Sequence, residues 1–160
     1  MESQSSHLES RSDNYQAMMD FLPYSRHSVL IYSQRLDGRT FDTNEFSMII
    51  RKLISEHRHI NIRILLFDVD SVIKHGHRLI ELARRSSSNI SIRIVARQYR
   101  TNISAFMVFD TCRLIYRKNA ERFEGIADKE NKKYALELTD YFNEVWEASQ
   151  EDPNFRRLHI

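Results

Sequence analysis

The sequence is poor in cysteine, glycine and proline, and these shortages exclude several classes of protein. Cys112 is its one cysteine, so no disulfide can form within the chain, and we expect a reducing compartment, the cytoplasm. Three glycines are too few for a glycine-rich phosphate-binding loop, which needs several for close approach of the backbone to phosphate. Cys112 falls between two predicted strands, where we interpret it as a small turn residue rather than a nucleophile.

Long apolar runs are absent as well. No stretch approaches the roughly 20 apolar residues that cross a bilayer, so we predict no membrane span. The N-terminal residues are rich in serine and charge and contain no hydrophobic segment, which is unlike a secretory signal. We predict a disordered leader over residues 1–13, a single domain over residues 14–149 and an irregular tail over residues 150–160.

Charge gives little guidance at the level of the whole chain. The formal net charge is only +2, so the overall balance does not predict a nucleic-acid partner. Between residues 90 and 122, however, seven basic residues stand against two acidic ones. Any anion-binding surface should therefore come from this local cluster.

The apolar pattern up to residue 94 alternates between helices and short strands. One-sided apolar stripes predict helices over residues 15–22, 42–59 and 72–83. Short β-branched runs predict buried strands over residues 28–32, 60–67 and 90–94. The order β-α-β-α-β predicts parallel neighbours that are joined by right-handed crossovers.

The pattern changes in the last third of the chain. Apolar runs over residues 105–109 and 113–117 are separated by only three residues, so they should pair as a hairpin. A further short strand is predicted near residues 122–126, and a long amphipathic helix over residues 131–148. The sequence therefore predicts an α/β domain with a mixed, mostly parallel sheet that is flanked by helices.

Polar residues collect after the predicted strands, at the edge where open parallel sheets bind ligands. Guanidinium groups suit phosphate and carboxylate ligands, because their donors form a fixed fork. We therefore predict an anion-binding site at this edge, with a solvated strand end that binds nothing as the alternative. The candidate residues are Arg35, Arg97, Arg100, Arg117 and Asn119.

Aspartate and histidine are candidates for a metal site, but their spacing argues against one. Asp68 and Asp70 follow the second strand, yet a cation would need further oxygen ligands, and Asp70 also suits the start of a helix. His75 and His77 lie two residues apart on a predicted helix, so their side chains point about 200° apart. We predict no metal and no cofactor.

Four segments resemble a known family. They are SVLIYSQRLDGRTFD, IRILLFDVD, GHRLIELARR and FMVFD followed by LIYRKNAERFEGIAD, and the resemblance as a whole covers roughly residues 14–148. With the order of elements, they resemble half of a phospholipase D-like protein, and more closely an uncharacterised bacterial phospholipase D-like domain of unknown function. The resemblance implies the phospholipase D-like fold, and it implies a homodimer, since the halves of these proteins pair across their active-site face.

The catalytic motif of active phospholipase D-like proteins, H-x-K-x4-D, is incomplete in this sequence. The resemblance places Asp110 at the closing acid, Ile103 at the histidine and Ala105 at the lysine. Without an imidazole nucleophile, the covalent phosphohistidine route is closed. Asn119 falls in the family's downstream asparagine region, but the pair Arg117-Lys118 replaces the usual Gly-Ser. Without these two partners, we interpret Asp110 as a turn acid rather than as a catalytic residue.

The first functional hypothesis is a catalytically inactive phospholipase D-like module. It would bind an anionic, phosphate-bearing ligand or a macromolecular partner, and replacing Arg97 and Arg100 by alanine should then weaken binding to phosphate-bearing ligands. Nucleic acid is a special case of this hypothesis. Its only specific support is Tyr99, an aromatic residue between two arginines.

Two further hypotheses remain open from the sequence. One is a metal-dependent phosphodiesterase or nuclease with a non-standard site around Asp68, Asp70 and Asp110, which should show turnover with magnesium or manganese. The other is a purely structural, homodimeric interaction protein. Light scattering would establish the oligomeric state.

Overall fold

Seven strands lie in the part of the chain that the structure, a computed structural model, describes: residues 4–70, 72 and 76–153. They are β1 (Ser5–Leu8), β2 (Ser28–Ser33), β3 (Asn61–Leu66), β4 (Ile90–Ile94), β5 (Ala105–Phe109), β6 (Arg113–Arg117) and β7 (Gly125–Asp128). All seven belong to one sheet, in the order β1-β7-β6-β5-β2-β3-β4.

The sheet is mixed. Strands β2, β3 and β4 run parallel, with Ser28 beside Asn61 and Ile62 beside Ile90. Strands β5, β6, β7 and β1 continue from β2 as antiparallel neighbours. The mixed α/β architecture predicted from the sequence is confirmed. The sheet is not mostly parallel, however: four of the six neighbouring pairs in the described residues are antiparallel, and the strand near the N-terminus adds one of them beside β7.

Five helices whose bounds lie in the described residues flank the sheet, and Asp70 and Val72 are helical as well. The five helices are α1 (Arg11–Phe21), α2 (Gly38–Phe41), α3 (Asn44–Glu56), α4 (Arg78–Arg85) and α5 (Lys132–Ala148). Within the segment predicted as a helix over residues 72–83, α4 begins at Arg78, and residues 71 and 73–75 lie outside the described part. Two short 3₁₀ turns, Leu22–Tyr24 and Arg97–Tyr99, complete the set.

Helix α3 begins at Asn44, two residues later than predicted. Thr43 caps the helix, since its Oγ1 accepts a hydrogen bond from Phe46 N at 3.1 Å. Asp42 faces α4 instead, where its Oδ1 accepts from Arg78 N at 2.9 Å. Asp42 thus joins the start of α4 to the loop before α3.

The prediction of a disordered leader over residues 1–13 is wrong for residues 5–13. Strand β1 pairs with β7, with Ser5 opposite Asp128 and Leu8 opposite Gly125. Ser10 then begins α1 with a capping box, in which its side chain accepts from Asp13 N at 3.0 Å. Only Leu8 of the strand is buried, so the ladder of backbone hydrogen bonds holds β1, and the sequence carries little apolar signal for it.

The sheet separates two apolar layers. Helices α1, α3 and α4 cover one face, with Met18, Phe46 and Leu79 at most 1% exposed. Helix α5 covers the other face with Phe142 and Val145, which are fully buried. Each such side chain contributes about 1.5–3 kcal/mol relative to an exposed position. The two layers fix the sheet rigidly enough to hold the loops at its ends.

The chain after α5 makes one bridge to the edge of the sheet. Ile94 N donates to Gln150 O at 2.8 Å, so the predicted irregular tail begins with an ordered contact. Residues 154–160 of that predicted tail lie outside the described part. None of the helices described here is long and apolar enough to traverse a bilayer.

Candidate anion-binding site

The strand ends that were predicted to carry a site meet at one edge of the sheet. The parallel strands β2, β3 and β4 finish at this edge with Ser33, Leu66 and Ile94. Strand β5 starts beside the end of β2, and its first residue, Ala105, pairs with Arg117 at the end of β6. We call this side of the sheet the carboxyl edge.

A cavity of about 330 Å³ lies at the carboxyl edge, between α1, α2 and the face of β2, β5 and β6. Its deeper surface is largely hydrocarbon, and its outer part carries three arginines. We call the apolar part the hydrocarbon wall; it consists of Met18, Ile31, Phe41, Met107 and Ile115. We call the three arginines the arginine rim; they are Arg11, Arg35 and Arg117.

Arg117 is fixed by the loop that follows it. Its Nη1 donates to Arg122 O at 2.9 Å and to Ala120 O at 3.3 Å. Burial lowers the pKa of Arg117 from its usual range, and the carboxylate of Asp37 partly opposes that shift. The guanidinium stays charged at neutral pH, so it brings a held positive charge to the cavity.

Arg11 and Arg117 stack against the same ring. The Cζ atoms of Arg11 and Arg117 lie 5.0 and 5.5 Å from the centroid of Phe123. Asn14 in α1 holds this segment in place, because its Nδ2 donates to Phe123 O at 2.8 Å. Cation–π contacts of this kind orient a guanidinium without using its hydrogen-bond donors.

Arg11 was missed in the sequence, because it falls in the segment that we predicted as a disordered leader. Its Nε is buried and makes no hydrogen bond within the described residues. The nearest charge is Asp37, whose Oδ2 lies 3.7 Å from that nitrogen. Because this nitrogen is buried and faces Asp37, the ion pair orients the guanidinium of Arg11 at the cavity.

Two carboxylates moderate the charge of the arginine rim. Asp37 caps α2, where it accepts from Arg39 N at 3.3 Å and from Thr40 Oγ1 at 3.0 Å. Glu121 also lines the cavity. Three arginines and two carboxylates leave the cavity lining with one formal positive charge.

Arg35 follows β2 and is exposed. Its carbonyl accepts a hydrogen bond from the hydroxyl of Ser33, which lines the cavity. The carbonyl of Gln34 accepts from Phe67 N at 3.1 Å and so joins this loop to the end of β3. The loop is held by its backbone, which leaves the guanidinium of Arg35 to face solvent and ligand.

The structure brings two of the predicted site residues into the cavity and leaves three outside its lining. Arg35 and Arg117 line it, whereas Arg97, Arg100 and Asn119 do not. Arg97 and Arg100 are exposed, and the Nε of Arg100 donates to Val95 O at 3.1 Å. Asn119 Oδ1 accepts from the backbone N of Glu121 at 2.9 Å and so shapes the loop. 

A tyrosine contact accounts for the position of the two excluded arginines. Tyr99, which lies between them, packs on Tyr141 of α5 with a centroid distance of 6.3 Å. Their loop therefore packs on the α5 side of the sheet, whereas the cavity is on the α1 side. The arginines share the carboxyl edge with the rim without sharing its cavity.

The two motif positions that the resemblance assigns to histidine and lysine fall differently in the structure. Ala105 is 5% exposed and lines the cavity. Ile103 is 48% exposed and lies outside the lining. No histidine or lysine is found among the described residues that line the cavity.

Asp110 lies at the other end of the sheet and holds a turn. Its Oδ1 accepts from the backbone N of His27 at 2.8 Å and of Ser28 at 3.0 Å, and its Oδ2 accepts from Arg26 N at 2.9 Å. Arg113 Nη2 lies 3.4 Å from the same carboxylate. The residue has φ 55°, a left-handed conformation that aspartate tolerates better than most residues.

The metal-dependent site proposed around Asp68, Asp70 and Asp110 is not formed. Asp68 follows β3 at the carboxyl edge, where its Oδ1 accepts from Asp70 N at 2.8 Å. Asp110 lies beside Ser28 at the start of β2. A six-residue strand separates these ends by about 17 Å, at roughly 3.3 Å per residue. The three carboxylates therefore cannot share an ion.

Histidine does not supply a metal site either, in the portion of the chain that is described. His77 is 7% exposed and caps α4, since its Nδ1 accepts from Leu79 N at 3.1 Å. His75 lies outside the described residues. Among residues 4–70, 72 and 76–153, no three His, Cys, Asp or Glu side chains are grouped to hold one ion.

The chain has a phospholipase D-like fold, so the resemblance inferred from the sequence is confirmed at the level of the fold. Residues 10–158 match the family described as "Domain of unknown function (DUF7931)". The match covers most of the chain, so the chain belongs to this family. A comparison with curated protein sequences found no match.

Three solved structures show the same fold. NucT from Helicobacter pylori is 15% identical over 94% of this chain and 100% of that one, with a TM-score of 0.64. Nuc from Salmonella typhimurium, a phospholipase D family member, is 12% identical over 94% and 99%, with a TM-score of 0.59. TrmBL2, an archaeal chromatin protein with a novel mode of DNA binding, is 15% identical over 94% of this chain, with a TM-score of 0.67. The chain spans 54% of the length of TrmBL2. These identities show a shared fold alone.

Proposed function

We propose that this chain is a non-catalytic phospholipase D-like module that binds an anionic, phosphate-bearing ligand in the cavity at the carboxyl edge. The observation that carries the proposal is the arginine rim, in which two guanidiniums are held against one aromatic ring. Guanidinium forks are the preferred protein donors to phosphate and carboxylate oxygens. The single cysteine is compatible with action in the cytoplasm.

The composition of the cavity supports the non-catalytic part of the proposal. A covalent route needs an imidazole nucleophile and a cation beside it. By the resemblance, these positions are Ile103 and Ala105, both of which have hydrocarbon side chains. The carboxylate of Asp110, the third motif residue, accepts hydrogen bonds from backbone amides at the far end of the sheet. Asp110 therefore supports the fold and takes no part in the cavity.

Calorimetric titration with inorganic phosphate and glycerol phosphate tests the proposal directly. Arg35→Gln removes one exposed charge of the rim and leaves its backbone contacts intact, so the variant should fold. We expect its affinity to fall roughly tenfold or more, which is typical of losing a charge-assisted hydrogen bond. Arg51→Gln, an exposed arginine on α3 outside the cavity, is the matched control and should bind as the unmodified protein does.

Two results would contradict the proposal. One is the absence of binding by the unmodified chain to both phosphate compounds at low ionic strength. The other is an equal loss in Arg35→Gln and Arg51→Gln, which would indicate nonspecific charge attraction rather than a site. Hydrolysis of a phosphodiester with a covalent adduct on any histidine would disprove the non-catalytic part.

Nucleic acid is the second candidate ligand, and one surface feature favours it. Arg97, Arg100, Lys118 and Arg122 are exposed at the carboxyl edge. TrmBL2, which shares the fold, is a DNA-binding chromatin protein. Backbone phosphates of a bound strand could contact these four residues and the arginine rim together.

A double variant separates the two ligands. Arg97→Ala with Arg100→Ala should weaken oligonucleotide binding and reduce the salt dependence of the affinity by about one to two units of slope. The same variant should bind glycerol phosphate normally, because neither arginine lines the cavity. If oligonucleotide affinity is unchanged in the double variant, the nucleic-acid candidate fails while the small-ligand proposal stands.

A further inference from the structure

The cavity offers more apolar surface than a phosphate group can use. Behind the arginine rim, the hydrocarbon wall is built from α1, α2 and three strands of the sheet. Met18 and Ile31 are each 1% exposed, and Phe41, Met107 and Ile115 are 5–7% exposed. Water gains few hydrogen bonds against such a wall, so an apolar group that replaces it is favoured.

The size of the cavity points in the same direction. At about 330 Å³ it lies within the range of pockets that enclose small organic ligands. Ala105 contributes to this space, because its one-carbon side chain stands where a longer one would project into the cavity. An inorganic anion at the rim leaves most of that space unfilled.

The charge of the cavity limits the head group. Arg11 already lies 3.7 Å from Asp37, and Arg117 already donates to two carbonyls. With Asp37 and Glu121 in the lining, one formal positive charge remains. A singly charged head group matches that charge, whereas a dianion brings one negative charge too many.

We infer that the ligand is an amphiphilic monoanion: a carboxylate or singly charged phosphate head at the arginine rim, with a compact apolar body against the hydrocarbon wall. This inference rests on the proposed function and assigns its ligand class. The apolar body takes the space beside Ala105. The head group receives hydrogen bonds from Arg35, and the positive charge of Arg11 lies beside it in the cavity lining.

Two homologous series of free ligands test the inference. The carboxylates are acetate, butanoate, hexanoate and octanoate, and the phosphates are inorganic phosphate, ethyl phosphate and hexyl phosphate, all below their micelle concentrations. We expect affinity to rise roughly fourfold for each added CH₂ until the cavity is filled. Binding is measured by calorimetry on the full chain at pH 5.5, below the second pKa of about 6 at which a phosphate head takes on a second charge.

Variants at Ala105 locate the apolar body. Ala105→Leu fills part of the cavity and should reduce the affinity for octanoate and hexyl phosphate at least tenfold. Ala105→Ser, which adds a single oxygen atom, is the matched control and should retain more of the chain-length dependence. Circular dichroism and the Tm show whether each variant is folded. Should Ala105→Leu fail to fold, Ala105→Val fills less of the cavity and should likewise reduce the affinity for octanoate and hexyl phosphate.

The outcomes distinguish this inference from the proposed function. Equal affinity for inorganic phosphate and hexyl phosphate overturns the inference and leaves the anion-binding proposal intact. Loss of all binding in both series overturns both. Unchanged octanoate affinity in a folded Ala105→Leu overturns the inference, because the body would then lie elsewhere.

A membrane surface is tested as a separate source of the same chemistry. We expect the chain to bind free octanoate and not to sediment with vesicles of phosphatidylglycerol, since the ligand enters a cavity that lies between α1, α2 and the sheet. Sedimentation with vesicles in the absence of octanoate binding would overturn the inference in favour of a lipid surface.

Discussion

Ala105 and Arg117 are direct partners across the β5–β6 hairpin, and both line the same cavity. Side chains of opposed residues in antiparallel strands share one face, with Cβ atoms about 5 Å apart. The position that the resemblance gives to the family's lysine therefore lies next to a guanidinium. The carboxyl edge therefore keeps a cation at this point although the lysine is absent.

The charge of Asp37 should oppose ligand binding. Asp37→Asn preserves an N-cap for α2, because asparagine caps helices as well as aspartate does. The change removes one negative charge beside Arg11 and Arg117. We therefore expect the affinity for glycerol phosphate to rise about three- to tenfold, and more at low than at high salt. An affinity that falls in a folded variant would contradict the assignment of the rim.

Gly125 is needed for close packing beneath Arg117. A Cβ at this position would lie 2.4 Å from Tyr116 O and 2.8 Å from Arg117 Cγ. Gly125→Ala should therefore destabilise the fold by about 1–3 kcal/mol and displace Arg117, so that phosphate affinity falls as well. Gly38→Ala is the matched control, since its Cβ would meet only Asp42 at 3.9 Å, an ordinary contact. Urea unfolding and calorimetry measure the two effects.

Asp110 should matter for stability and not for ligand binding. Asp110→Ala leaves three backbone amides without their acceptor and should cost about 2–3 kcal/mol. Asp110→Asn keeps one acceptor oxygen and tolerates the positive φ, so it should cost less. Both variants should bind glycerol phosphate normally if they fold, and a selective loss of binding would place Asp110 in the site after all.

The carboxylate of Asp110 should also make the stability of the fold depend on pH in the acid range. Burial acts to raise the pKa of Asp110, but hydrogen bonds from the Ser28, His27 and Arg26 amides and the charge of Arg113 outweigh it. The net folded-state pKa lies below the usual 3.8, so the stabilisation is complete above about pH 4 and is lost as pH falls through the lower value. Urea unfolding at pH 7 and pH 3 should show Asp110→Asn losing less stability than the unmodified chain.

His77 should make the stability of the fold depend on pH in a second range, closer to pH 7. Burial lowers the pKa of His77 below its usual 6.5, although Asp42 and the Leu36 carbonyl oppose the shift and Arg78 adds to it. The unfolded chain therefore takes up the proton first, and stability is lost as pH falls below about 6.5. Protonation also removes the Nδ1 acceptor that caps α4, which costs about 1 kcal/mol.

The contribution of His77 to the pH dependence of stability is tested by replacing it with a residue that caps α4 and does not titrate. His77→Asn should make the Tm nearly flat between pH 7 and pH 5.5, where the unmodified chain declines. A parallel decline in both proteins would assign the pH dependence to other groups.

Much of the fold could be predicted because its signals are local. The apolar runs of β2 to β6 and the stripe of α3 each lie within one segment, and the short gap at Asp110 specifies a hairpin. Strand β1 could not be predicted in this way. Three of its four residues are exposed, and its stability comes from pairing with a strand more than a hundred residues away.

The site was predictable only in part, for a related reason. Strand order placed Arg35 and Arg117 at the carboxyl edge, and the structure has both in the cavity. Which face of the sheet a loop packs on depends on tertiary contacts, and the contact of Tyr99 with Tyr141 keeps Arg97 and Arg100 away from the α1 face. Arg11 joins the rim only because β1 orders the chain before α1.

The turn at Asp110 has a consequence for how sequences of this fold are interpreted. An acid that ties down the amides before a neighbouring strand is required by folding, whether or not any reaction takes place. Its presence in a chain therefore says nothing about turnover. A search that scores the acid as one third of a catalytic signature would count this protein, and others built like it, as partial enzymes.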